Sequence, residues 1–212
     1  MPFDFHALTD HLEKRCSRRL ALRGLAYCDA WPLFQATRVP RFNEYLTWES
    51  PEHEAAAEAR VEAILSAARR GQMTALSAVV RETGEWVSLY RFQPSERGPK
   101  ALEVGVWTHP KFWHGRYSPE LMKLCIDSAF ECSDATEIVA ASAVENRGSL
   151  ALMRVVGMKE ANGFFKETES GIMQPSIEYR LTRNEWLENK ARKTARIRAP
   201  ATEEREPELA TA

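Results

Sequence analysis

The chain predicts an α/β (α+β) domain built on one mixed central sheet, and three features carry that expectation. Helix-period and strand-period segments alternate along most of its 212 residues. Two β-rich runs, 74–81 and 86–92, are separated only by Glu82-Thr83-Gly84-Glu85, a hairpin signal and hence an antiparallel pair. A third run, 101–108, is followed by a helical stretch and then by another strand, 137–143; such a crossover makes its two strands parallel. Both kinds of pairing in one chain mark a mixed layout.

Taken in order, the opening residues 1–17 carry Phe5, Leu8 and Leu12 at helical spacing and predict a short amphipathic extension. Leu20 to Leu25 alternates with arginine and reads as a strand. Asp29 is placed to cap a helix over 30–38. Ser50-Pro51, an N-cap residue followed by proline, opens a second helix through Arg70, with Val61, Ile64, Leu65 and Ala68 on one face and Gly71 as its stop. The hairpin follows, then the strand ending at Thr108. Ser118-Pro119 repeats the cap-and-proline device before a helix to about Glu131. Beyond the strand 137–143, residues 148–156 form a short helix closed by Gly157, and the apolar runs 163–166 and 176–181 form a closing antiparallel pair. The order is β-α-α-β-β-β-α-β-α-β-β. The domain is expected over 18–188. Residues 189–212, first basic and then acidic and without aromatics, predict a disordered charged tail.

Composition narrows the classes. Apolar residues are 44% and charged residues 28%, with a formal net charge of -1. That balance argues against nucleic acid as a partner, and the longest apolar runs fall short of a membrane span. Cys16, Cys28, Cys125 and Cys132 follow neither disulfide nor zinc spacing, and the histidines at 6, 11, 53, 109 and 114 have no metal-ligand pattern. Free thiols in a reducing compartment make cytoplasmic the expected location.

The order of elements and four local segments resemble the GCN5-related N-acetyltransferase (GNAT) superfamily, and within it the Rim-type branch that acetylates N-terminal amines of ribosomal proteins. SRRLALRGLAYCDAWPLF resembles that branch's first strand and helix. LEVGVWTHPKFWHGRYSPEL resembles its central strand, cofactor loop and helix start. ENRGSLALMRVVGMKE resembles its Asn-x-x-Ser segment and short helix, and LTRNEW its closing strand and turn. The resemblance implies a splayed parallel central pair, acetyl-CoA as acyl donor, and an amine-bearing acceptor, either a protein N-terminus or a small molecule. A homodimer is left open.

On that likeness His114-Gly115-Arg116-Tyr117-Ser118 stands where the family binds the pyrophosphate of coenzyme A at a helix N-terminus. The loop departs from the pattern: the family has small residues, mostly glycine, at His114 and Arg116, and Pro119 removes a backbone donor. Arg116 either adds charge against phosphate or marks a loop that has drifted. Trp107 and Thr108 would flank the pantetheine arm, with Trp107 alternatively a core filler. Glu103 matches a carboxylate near the substrate amine, where a base is needed, and is otherwise a strand-edge charge. Glu160 stands one residue from another family acid. Met153 replaces the tyrosine that donates to the leaving thiolate in many members, and Ser149 is the branch's substitute, one helical turn earlier and expected on the same side of the helix. Asn146 would contact the pantetheine arm; Asn146 and Ser149 together also suit a helix N-cap. Two functions follow: an acyl-CoA-dependent N-acetyltransferase with Glu103 and Ser149 as catalytic residues, or a binding or assembly protein on the same fold with an altered cofactor loop.

Overall fold

In the computed structural model residues 3–198 are described, Arg116 excepted. Seven strands form one sheet: β1 (Leu20–Gly24), β2 (Thr74–Val80), β3 (Trp86–Pro94), β4 (Ala101–Thr108), β5 (Glu137–Ala143), β6 (Lys159–Glu167) and β7 (Met173–Thr182), in the spatial order β1-β2-β3-β4-β5-β7-β6. Only β4 and β5 pair in parallel; every other neighbour is antiparallel. The crossover between them is α5 (Tyr117–Cys132), as the strand–helix–strand pattern requires.

Each face of the sheet is covered by helices, which gives two apolar clusters. On one face α1 (Phe5–Glu13) contributes Phe5, Leu8 and Leu12, and α5 contributes Leu121, Cys125 and Ile126, over Leu76, Phe92, Leu102, Val104 and Ile138. The described part of the N-terminal extension, from Phe3 on, therefore shares the main core. On the other face α2 (Ala30–Thr37), α3 (Pro40–Asn43) and α4 (Glu54–Arg69) supply Leu33, Ala36, Phe42 and Val61 against Ala75 and Leu89. Burial of these side chains drives the sandwich together.

Several elements begin elsewhere than local signals predict, each for a tertiary reason. Asp29 precedes α2 but makes no side-chain cap. Its carboxylate, 2% exposed, accepts from both guanidinium nitrogens of Arg23 (2.7 and 2.6 Å), from the Ala26 amide (2.9 Å) and from Ser77 Oγ (2.7 Å). A buried carboxylate needs a cation more than a helix needs one cap. The Ser50-Pro51 device is likewise overridden: α4 starts at Glu54 under His53, whose Nδ1 accepts from the Ala56 amide at 3.2 Å, while the buried Pro51 offers its carbonyl to Arg38. Ser118 is the second residue of α5, not its cap.

The closing hairpin is longer than its apolar runs, because edge pairing in β6 is carried by backbone with mostly exposed side chains. The chain then runs on as α7 (Arg183–Arg198), across 189–198 where composition predicts disorder. Its start explains this. Glu185 accepts from the Thr182 amide (2.9 Å) and hydroxyl (2.8 Å), while the Glu185 amide donates to Thr182 Oγ1 (3.3 Å), a capping box. Trp186 stacks on Phe130 at 5.1 Å and donates to Asp127 at 2.7 Å. The rest of the expected tail, 199–212, lies outside the described residues. No helix among them is long and apolar enough to cross a membrane.

Candidate active site

The site begins with a failure of pairing. β4 and β5 are joined only at Ala101–Glu137, Leu102–Ile138 and Glu103–Val139. Beyond Glu103, β4 stays bound to β3 out to Thr108, and β5 to β7 out to Ala143. Their facing edges therefore diverge, and the C-terminal halves of both strands line a cleft of about 720 Å³. That lies within the ordinary range for a small-molecule site. Backbone donors and acceptors on a splayed edge suit an extended ligand lying like an added strand.

Seven of the ten sequence-derived site residues line this cleft: Glu103, Trp107, Thr108, His114, Ser118, Asn146 and Ser149. Glu103 is half-buried on β4, its Oε2 accepting from Gln93 Nε2 at 3.1 Å. Trp107 meets Trp48 edge-on at 6.1 Å and packs against the second cluster, so it serves as wall and as filler. Thr108 and Ser118 share a 3.0 Å hydroxyl–hydroxyl bond that ties the end of β4 to the start of α5.

The loop between them is organised by aromatics. Trp113 Nε1 donates to the Thr108 carbonyl at 2.8 Å. Gly115 and Tyr117 do not line the cleft. A Cβ on Gly115 would stand 2.3 Å from the Tyr117 ring, so glycine is needed there for ring packing. Tyr117 lies between Phe112 (5.4 Å, edge-on) and the Arg19 guanidinium (4.1 Å), and Arg19 also donates to the Gly115 carbonyl at 2.9 Å. Arg116 lies outside the described residues. His109 is turned away from the cleft: it accepts from the Lys111 amide at 3.2 Å, faces Trp86 and Phe112, and burial lowers its pKa.

The short helix α6 (Arg147–Val155) decides the opposite wall. Asn146 caps it, Oδ1 accepting from the Ser149 amide at 3.1 Å. Ser149, Leu152 and Val155 face the cleft. Met153, 1% exposed, turns into the core with Leu150. Ser149 and Met153 are thus on different faces, which corrects the expectation that they share one side. Glu160 is also elsewhere: it accepts from Tyr179 Oη at 3.1 Å and sits 3.8 Å from Arg154 on the exposed edge strand.

Residues 19–159 match the model of the acetyltransferase (GNAT) domain, well over half of the sequence. The chain belongs to the GNAT acetyltransferase family. A curated relative, the FsC-acetyl coenzyme A-N(2)-transacetylase of Aspergillus fumigatus, is 29% identical over 102 residues, 44% of this chain and 43% of that protein. The match thus spans under half of the curated relative's length. Among solved structures, a GNAT-family acetyltransferase from Bacillus anthracis superposes with a TM-score of 0.68 at 18% identity, covering 80% of this chain and 98% of that one. Mycobacterium smegmatis RimJ, solved in complex with CoA-disulfide, gives 0.68 at 17% identity over 78% and 83%. At such identities the likeness is one of fold.

Within this GNAT domain the sequence reading passed over Arg91. It stands on β3 opposite Gly105 of β4, in a strand whose neighbours Tyr90 and Phe92 are core. A Cβ on Gly105 would come within 3.0 Å of Arg91 Nε, so the arginine lies across that glycine, and its guanidinium stacks on Trp107 at 4.8 Å. A lone cation inside a buried apolar run was the available signal.

Proposed function

We propose that this chain transfers the acetyl group of acetyl-CoA to a primary amine, on a protein N-terminus or a small molecule. One observation supports it above the others: Glu103 from β4 and Ser149 from α6 line the same cleft that the splayed strands open. The cleft suits acetyl-CoA, which would supply the activated acyl group. Unpaired backbone of β4 and β5 would hold its extended arm, and the start of α5, with Ser118 and His114, would face its phosphates. Gln93 holds the Glu103 carboxylate in place through its 3.1 Å bond. There Glu103 takes a proton from the attacking ammonium, directly or through one water, so that the nitrogen lone pair can form the new C–N bond. Ser149 donates a hydrogen bond to the sulfur as the C–S bond breaks, a contact that strengthens as charge develops. Its amide is committed to Asn146, and its hydroxyl is not needed for the cap.

Assignment to the Rim-type branch is part of the same proposal, supported by serine at 149 with Met153 in the core and by the fold shared with RimJ. The test is thermal shift with acetyl-CoA followed by thiol release with a panel of short peptides and polyamines. Ligand at 100 times its dissociation constant should add about 2.7 kcal/mol, a rise of roughly 5–10 °C in Tm for a domain of this size. Absence of both shift and thiol release would favour the binding-protein reading.

A further inference from the structure

Beside the main cleft, and sharing Thr47, Arg91, Trp107 and Lys166 with it, is a second recess of about 380 Å³. Its walls are apolar and aromatic: Leu33, Trp48, Ile64, Leu89 and Trp107. Its rim is held by a clasp between the segment after α3 and the β6–β7 turn. The Glu169 amide donates to the Thr47 carbonyl at 2.9 Å, and the Glu169 carboxylate accepts from the Glu49 amide (2.8 Å) and from Arg60 (2.7 Å). Arg60, so paired, stacks on Trp48 at 4.5 Å.

At the junction of the two spaces Arg91 is different. Among the described residues its side chain makes no hydrogen bond and no ion pair; its guanidinium lies over the Trp107 ring, and Glu103 acts on it only through longer-range attraction. Glu103, on the same face of the sheet, has its carboxylate bonded to Gln93. Burial lowers the pKa of Arg91 and outweighs the opposing pull of the Glu103 charge, the mark of a guanidinium short of solvent. Trp48 Nε1 is buried in the same wall without an acceptor. An unpaired cation and an unpaired donor at an aromatic recess are complementary to a carboxylate attached to an apolar body. A guanidinium presents the planar fork that a carboxylate matches with two bonds.

We propose that the acceptor is an amine that also bears a carboxylate, with Arg91 as the residue that binds that carboxylate and the Trp48–Trp107 recess as the pocket for its apolar body. This rests on the acetyltransferase reading and narrows its substrate class. Two sources share that chemistry, a free amino acid and a peptide beginning with an acidic residue. Arg91 and Glu103 on one face then separate the two ends of the acceptor, with the anion at the guanidinium and the amine toward the general base.

The experiment compares phenylalanine, phenethylamine, a peptide beginning with glutamate and one beginning with phenylalanine, in thiol release from acetyl-CoA. Phenylalanine and phenethylamine are also titrated calorimetrically against the protein alone. Wild type should prefer phenylalanine over phenethylamine by about 100-fold or more in kcat/KM, because a site built to pair a polar group rejects the analogue that lacks it. In Arg91→Met that ratio should fall toward one, and in Arg91→Lys to an intermediate value; acetyl-CoA affinity reports on folding. If the glutamate peptide outruns both phenylalanine and the phenylalanine peptide, the carboxylate is supplied by a peptide. Equal use of phenethylamine and phenylalanine overturns the proposal while leaving the acetyltransferase reading intact, and needs no variant. Arg91-dependent phenylalanine binding without acetyl-CoA binding keeps the site and removes the reaction. Failure to bind either removes both.

Discussion

The Ser149 amide donates to Asn146 Oδ1 across 3.1 Å, and this one bond gives the two residues different tasks. Asn146 spends its side-chain oxygen on starting α6, and the helix so started presents Ser149 to the cleft while Met153 goes to the core. Asn146→Ala should cost about 1 kcal/mol of stability through the lost cap. Ser149→Ala should leave stability and acetyl-CoA affinity nearly unchanged but lower kcat by about 10²- to 10⁴-fold. Steady-state kinetics beside calorimetry checks this, and an unchanged kcat removes the role given to Ser149.

Glu103→Gln keeps the shape of the side chain and loses the base. The kcat should fall by about 10²- to 10⁴-fold, and the residual rate should climb with pH over a wider range than in wild type, because the acceptor must then lose its proton to solvent. A pH–rate profile of the variant that simply parallels wild type would place the base elsewhere.

The buried Asp29 is the hub of a network in which the half-exposed Arg23 and the buried Ser77 bond its carboxylate, and Ser77 Oγ in turn accepts from Trp86 Nε1 at 3.1 Å. Asp29→Ala strands a guanidinium and a hydroxyl beside the second apolar cluster. It should destabilise the fold by about 3 kcal/mol, more than loss of any helix cap. Urea unfolding measures this, and a loss under 1 kcal/mol would mean that water replaces the carboxylate.

Arg183 closes the far end of α5, with Nε, Nη1 and Nη2 donating to the carbonyls of Ala135 (2.8 Å), Phe130 (2.8 Å) and Ser133 (2.6 Å). Those carbonyls have no later helical turn to bond. Arg183→Lys keeps the charge but not the fork, so it should still cost about 1–3 kcal/mol in thermal or urea unfolding. Equal stability of the lysine variant would show that charge alone suffices.

Glu185 has its pKa lowered to about 2, first by its bond to Lys159 and then by the Thr182 amide. A carboxylate whose pKa is lower folded than unfolded stabilises the fold above its ordinary value and ceases to do so as pH falls through the folded value. The contribution of Glu185 should therefore be complete near pH 6 and fade between about pH 4.5 and 2. Comparing wild type with Glu185→Gln across that window, the variant should start lower and lose less. A constant difference between them would contradict the assignment.

Local sequence was enough for the strands that form the middle of the sheet and for the crossover. β5 runs over Glu137–Ala143 as its apolar run predicts, and the parallel β4–β5 pair follows from the helical crossover that joins the two strands. The motifs at 103–118 and 146–149 led to most of one cleft, since residues on consecutive elements are brought together by the family's topology. What sequence could not decide were choices between competing partners. Asp29 and Ser50 both carry good capping chemistry, yet the buried Asp29 was taken by a half-exposed arginine and Ser50 lost its helix start to His53. Composition gave 189–198 to disorder, but a capping box and the stacking of Trp186 on Phe130 begin a helix whose support comes from α5. Ser149 and Met153 are four apart, close enough to share a face by spacing, and only packing of Leu150 and Met153 against the core set the helix's rotation. Arg91 reads as one charge in a strand; its role depends on a glycine and a tryptophan that only the sheet register sets beside it. Sequence alone determined the strands, the antiparallel hairpins and the parallel crossover pair, because those depend on periodicity, turn residues and connection length along the chain. Tertiary structure decided which polar group meets which, because hydrogen bonds and ion pairs between distant segments are worth more, once buried, than the local preferences they displace.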